Sequence, residues 1–198
     1  MGIMKKNITI LAIIVTSLAL CIVIGYHCYN RHLERRQIDA YYHDALTLFN
    51  DSTPLDDFRR DPVQEGYRFC WLRSFHHPVL ITIHVEDKQA TLNLKIAAAD
   101  GSTVHTPGEL ITNQDIPLTT EQVQELRTLV RQNRFGQEFV SYFSRDFGLD
   151  GAVWTIEIKQ GKKYHFGYRW SPDSGPLRNI GLHLLKLSQY EIRPNEIY

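Results

Sequence analysis

No aspartate, glutamate, lysine or arginine occurs between Lys6 and Arg31. Inside that window residues 8–25, ITILAIIVTSLALCIVIG, are almost purely apolar. As a helix rising about 1.5 Å per residue, the run would extend roughly 27 Å, close to the hydrocarbon thickness of a bilayer. Lys5 and Lys6 stand before it. Tyr26 and Tyr29, then Arg31, Arg35 and Arg36, stand after it, as side chains do where headgroups and water begin. The pattern predicts an N-terminal transmembrane helix through residues 8–25, an uncleaved signal-anchor in a single-pass membrane protein. Two other readings compete. Ser17-Leu18-Ala19 loosely fits a signal-peptide cleavage site, but the apolar run continues through Ile24. The stretch Leu18-Ala19-Leu20-Cys21 resembles a lipoprotein box, but Leu20 is large for the place before the cysteine. A short lysine-bearing tail implies an inner-membrane protein with its C-terminal domain periplasmic or otherwise extracytoplasmic. The three arginines after the run argue for the opposite orientation.

The rest divides at changes of pattern. Residues 1–30 form the tail and anchor, 31–66 a juxtamembrane helix with a polar connector, and 67–198 a water-soluble domain. Such a length suffices for one hydrophobic core. Lysine plus arginine and aspartate plus glutamate both number 22, so the chain lacks the basic footprint of a nucleic-acid binder. Of three cysteines only Cys70 lies in the domain, so no disulfide is expected there. Flanked by Phe69 and Trp71, Cys70 reads as a small buried hydrophobe.

Periodicity then assigns elements. Ile38, Tyr41, Tyr42, Ala45, Leu48 and Phe49 make a helical stripe that needs a cover: the domain, a bilayer surface or a second copy. Leu80 and Thr82 alternate with Val79, Ile81, Ile83 and Val85, which face Ala90, Leu92, Leu94 and Ile96 across a loop at Asp87-Lys88. The polar residues of the connector, residues 55–66, separate the helix from a short strand at 67–73, and another strand is expected at 110–116. A second hairpin joins the Trp154 strand to the Tyr164 strand. A three-residue loop, Lys159-Gln160-Gly161, would set Tyr164, Phe166 and Tyr168 on the face of Trp154 and Ile156, and Glu157 across from Lys163. Thr119 with Gln122 forms a capping box, and Pro176 opens a second helix. The aromatic residues of 136–150, among them Phe139 and Tyr142, are expected beneath the sheet. The fold class expected is α+β: the transmembrane helix, then a two-layer domain of antiparallel hairpins covered on one face by helices.

Chemistry-bearing motifs are sparse. Nine histidines show no metal-ligand spacing, and no metal or cofactor is assigned. The polar face of the second hairpin gathers Thr155, Glu157, Lys163, His165 and Arg169. His165 with Glu157 offers an acid–base pair, set against a plain solvated sheet face. Ser171 and Asp173 lie in a strand-to-helix connection and offer a second catalytic pair, set against simple capping. Arg169, Trp170 and Lys163 are binding candidates, being the residue types that anchor protein interfaces or line a charged edge.

The residues Asp150-Gly151-Ala152-Val153-Trp154, with Glu157, Tyr164, Arg169, Pro172 and the helix over residues 177–187, resemble the closing segment of some uncharacterised bacterial membrane-anchored envelope proteins. The resemblance spans about 40 residues and implies a bacterial, non-cytoplasmic setting; the family carries no known activity, so the resemblance implies no catalytic residue. The function expected is a membrane-tethered interaction module of the cell envelope, partnered by another membrane or envelope protein. The alternatives are an envelope enzyme using the second hairpin, and a structural subunit that homodimerises through the stalk helix.

Overall fold

The structure, a computed structural model, describes residues 2–51, 65–86, 89–98, 109–135 and 150–198, with α1 side chains described from residue 14 onward except 31, 34 and 35. The first helix, α1 (Gly2–Thr47), crosses between two units, Met1–Ala40 and Tyr41–Tyr198. Among the described residues no helix is long and apolar enough to cross a membrane. That finding overturns the expected transmembrane helix over residues 8–25, and with it the single-pass inner-membrane placement and the periplasmic domain. The run is helical, but it is one part of the longer helix α1 (Gly2–Thr47). The same helix continues through Arg36, Asp39, His43 and Asp44.

The second unit carries six strands: β1 (Glu65–Arg73), β2 (Val79–Glu86), β3 (Gln89–Ala97), β4 (Leu110–Leu118), β5 (Ala152–Gln160) and β6 (Lys163–Trp170). They form one antiparallel sheet in the order β4-β3-β2-β1-β5-β6. Helices α2 (Thr120–Gln132) and α3 (Pro176–Leu187) follow β4 and β6, and a 3-10 turn covers Pro194–Glu196. The α+β content is as the periodicity predicts. Strand β1 begins inside the expected connector, and the other connector residues, the Asp87-Lys88 loop and the 136–149 stretch lie outside the described residues.

One face of the sheet carries Tyr67, Phe69, Trp71, Ile81, Ile83, Leu92, Leu94, Trp154, Ile156 and Ile158, all buried. Helix α2 adds Val123, Leu126 and Val130 to that core, and α3 adds Leu177, Ile180 and Leu184. The first hairpin has the expected register, Val85 facing Ala90 and Ile83 facing Leu92. Helix α2 starts on the expected capping box, Thr119 Oγ1 accepting from the Gln122 N–H while Gln122 Oε1 accepts from the Thr119 N–H.

Helix α3 comes down on the sheet at a glycine. A Cβ on Gly181 would lie 2.6 Å from the Trp154 ring and 3.2 Å from Phe69. Alanine propagates a helix better than glycine by about 1 kcal/mol. Overpacking against two buried rings costs about 1–3 kcal/mol, so the clash outweighs the propensity. Gly181→Ala is therefore expected to lower the thermal midpoint. A raised midpoint would show that α3 shifts freely.

The second hairpin departs from expectation. Its loop has two residues, Gly161 and Lys162, with Gly161 at φ 56°. Phe166 consequently faces Glu157, and Gly167 faces Ile156. The three-residue loop assumed that only one face of the sheet is covered, so that the rings had to join Trp154. Both faces are covered. The end of α1, residues 41–47, and the turn after it bury Tyr42, Ala45, Leu46, Leu48 and Phe49 within the second unit. Tyr42 meets Phe166 edge-on at 5.6 Å. The sheet thus has helical cover on two sides, and within this unit the stripe of α1 is buried by the chain's own fold.

Candidate functional site

Alternation along β1, β2 and β5 places Arg68, Cys70, Thr82, Thr155 and Glu157 on the face beneath the end of α1. Arg68 and Glu157 are direct neighbours across β1 and β5. Both are enclosed: the Arg68 side chain is 2% exposed and that of Glu157 is 0% exposed. Two ions in such a place need partners on every side. Tyr42 donates its hydroxyl hydrogen to Glu157 Oε2 at 2.6 Å, and Tyr164 donates to Oε1 at 2.8 Å. Arg68 Nη1 donates to Oε2 at 3.3 Å, and Arg68 Nε donates to Thr82 Oγ1 at 3.3 Å. Asp51 lies 3.7 Å from Arg68 Nη2 and 3.4 Å from Lys95 Nζ. Charges alternate along Lys95, Asp51, Arg68 and Glu157, so the cluster is neutral as a whole.

The electrostatics follow from enclosure. Burial pushes the Tyr42 hydroxyl well above its ordinary value, and the Glu157 charge adds to that. Burial works to lower Arg68, but Tyr42, Glu157 and Asp51 outweigh it and hold the guanidinium more firmly protonated than usual. Burial also pushes the Cys70 thiol far up, so it stays a thiol and is a poor nucleophile. The arrangement fixes a helix end to a sheet through hydrogen bonds of defined direction. It leaves Glu157 no exposed surface from which to meet a substrate.

The nominated residues are dispersed. His165 faces Ile158 in register, one position along from the Phe166–Glu157 pair. Adjacent strand residues point to opposite faces, so His165 and Glu157 lie on opposite sides of the sheet. Thr155 shares the Glu157 side, whereas Lys163 and Arg169 share the His165 side and Trp170 the other. Ser171 takes φ 36°, and its Oγ accepts from the Ala152 N–H at 2.9 Å. Asp173 is exposed and accepts from the Ser174 hydroxyl at 3.0 Å. Among the described residues no three of histidine, cysteine, aspartate and glutamate gather as a metal site.

Sequence reasoning missed Arg68, Tyr42, Tyr164, Asp51 and Lys95. One signal was present. In β1 the positions alternating with Tyr67, Phe69 and Trp71 are Arg68, Cys70 and Leu72. A strand apolar on both sides has two covered faces, and one arginine in it requires a carboxylate.

A second polar bracket holds α2. Arg127 donates from Nε and Nη2 to the two Glu65 oxygens, at 2.9 and 2.6 Å, and Tyr67 also donates to Glu65. Burial works to raise the Glu65 carboxyl, but the hydrogen bonds from Arg127 and Tyr67 outweigh it and hold it below the usual carboxylate range. A depressed carboxylate contributes stability that is present above its unfolded pKa and lost as pH falls through its folded pKa. Arg127→Met is therefore expected to flatten the stability-versus-pH curve on the acid side of the ordinary carboxylate range. Parallel curves for the two proteins, measured by urea unfolding, would show that the bracket contributes nothing.

No protein-family model, curated protein or solved structure matches this chain.

Proposed function

We propose that this chain is an interaction module that engages a protein partner through the apolar length of α1. The observation that carries the reading is the exposure of Ile14, Val15, Leu18, Leu20, Ile22, Val23 and Ile24, each between 53% and 64% exposed. Contiguous apolar surface of that kind marks a binding site. Residues 14–25 offer no charged stripe, so their apolar side chains point all round the helix. A two-stranded coil covers a single seam. A helix apolar all round is covered fully only inside a bundle. The expected partner therefore supplies two or more apolar helices. The second unit supports the reading because its strongest acid–base constellation is spent on fastening α1.

A photo-reactive residue placed at Leu18 or Ile22 tests this in cells. The expected result is a discrete protein adduct that diminishes when Val23→Gln is added. Absence of a protein adduct at both positions would overturn the reading.

A further inference from the structure

We propose that residues 192–198 form a displaceable strap in a peptide-docking cleft, and that the cleft's other occupant is an extended segment of a protein carrying a carboxylate beside an aromatic residue. This surface involves none of the α1 residues invoked above, and the inference stands apart from that reading.

At the end of β1 the Trp71 and Trp154 rings lie 5.2 Å apart in the core, the Arg73 guanidinium lies 4.3 Å over the Trp71 ring, and Ile192, Ile197 and Tyr198 pack against that core. The strap joins no strand. Its one regular feature is the turn Pro194–Glu196. Trp154 Nε1 donates to the Tyr198 carbonyl at 2.8 Å. The Tyr198 hydroxyl bonds His76 Nδ1 at 2.9 Å and accepts from the Phe75 N–H at 3.3 Å. Glu196 lies 3.7 Å from Arg73 Nη1 and 4.0 Å from His76 Nε2.

Two observations set this apart from a tail that merely completes the core. Trp71 Nε1 and Arg73 Nη1 are buried donors without a hydrogen-bond partner among the described residues. Trp71 is 0% exposed and the Arg73 side chain 1% exposed. Buried donors left unmade carry their full desolvation penalty, and the strap therefore satisfies the cleft incompletely. The second observation is the long Glu196 contact. The carboxylate has the right charge for Arg73 and His76 but stops beyond hydrogen-bond distance. A segment that seats a carboxylate closer, with an aromatic ring against His76, gives Arg73 Nη1 the hydrogen bond that the strap leaves unmade. Main-chain groups and a few pockets suffice to bind such an extended segment.

The test uses an end-amidated peptide of residues 190–198, YEIRPNEIY, and its analogue with glutamine in place of the second glutamate. Binding to the full chain and to its Glu196→Ala/Tyr198→Ala variant is followed by tryptophan fluorescence. The weakened strap is expected to admit the peptide at least about tenfold more tightly than the wild-type chain does, and the glutamine analogue to bind about tenfold more weakly. Hydrogen exchange on the wild-type chain gives an independent readout. The Ile197 and Tyr198 amides are expected to exchange much faster than those of β1 and β5, through local opening. A natively folded variant that fails to bind the peptide overturns the proposal. So does equal binding of the glutamine analogue, or strap amides as protected as the sheet.

Discussion

Arg68→Met is expected to lower folding stability by about 3–5 kcal/mol, and Glu157→Leu by a similar amount, measured by urea unfolding. Each change leaves one ion buried without its main counter-charge. Without Arg68, Glu157 keeps the Tyr42 and Tyr164 hydroxyls, which donate hydrogen bonds but carry no positive charge. Without Glu157, Arg68 keeps Thr82 and Asp51, and Asp51 is 18% exposed and shared with Lys95. The damage also reaches α1. Tyr42 loses its acceptor when Glu157 is replaced, which removes a buried polar tie of the helix end and leaves the packing of Ala45, Leu46 and Phe49 to carry more of its hold. Hydrogen exchange in residues 41–47 is therefore expected to rise in Glu157→Leu before the sheet is affected.

The second large effect is expected at Trp154. Its ring lies 5.1 Å from Phe69 and 5.2 Å from Trp71, and α3 rests on it at Gly181. Trp154→Ala removes a fully buried ring and leaves a cavity between sheet and helix, at a cost of about 3–5 kcal/mol. The lost indole N–H also frees the Tyr198 carbonyl. Trp154→Phe retains most of the volume without that donor and is expected to cost much less overall. Comparison of the two separates the packing loss from the hydrogen bond. Equal losses in the two variants would mean that the donor, not the ring volume, supports this corner.

The elements legible in the sequence are those whose signal is local. The first hairpin follows from two strands of matching alternation, Val79 to Val85 against Ala90 to Ile96. The start of α2 follows from Thr119 and Gln122, three positions apart. The register of the second hairpin is not local, because it depends on a cover supplied from elsewhere. Tyr164, Phe166 and Tyr168 choose the Glu157 side only because Tyr42 and its neighbours close it. Nothing within residues 152–170 carries that information. The polar network is illegible for the same reason: Tyr42 and Glu157 are separated by 115 positions, and Arg68 and Glu157 by 89. The strap has neither helical nor strand periodicity, and its anchors include a main-chain carbonyl that any residue would provide. The apolar run at the start was legible as apolar and helical. Among the described residues no helix is long and apolar enough to cross a membrane.

The claim that Glu157 fastens α1 to the sheet is tested most directly by the double-mutant cycle of Arg68→Met and Glu157→Leu. The expected coupling is about 2 kcal/mol or more, with the double variant more stable than either single variant. Some loss relative to the wild type should persist, because the Tyr42 and Tyr164 hydroxyls then lack their acceptor. Single effects below about 0.5 kcal/mol that simply add would mean that both groups are solvated, and would contradict the buried network.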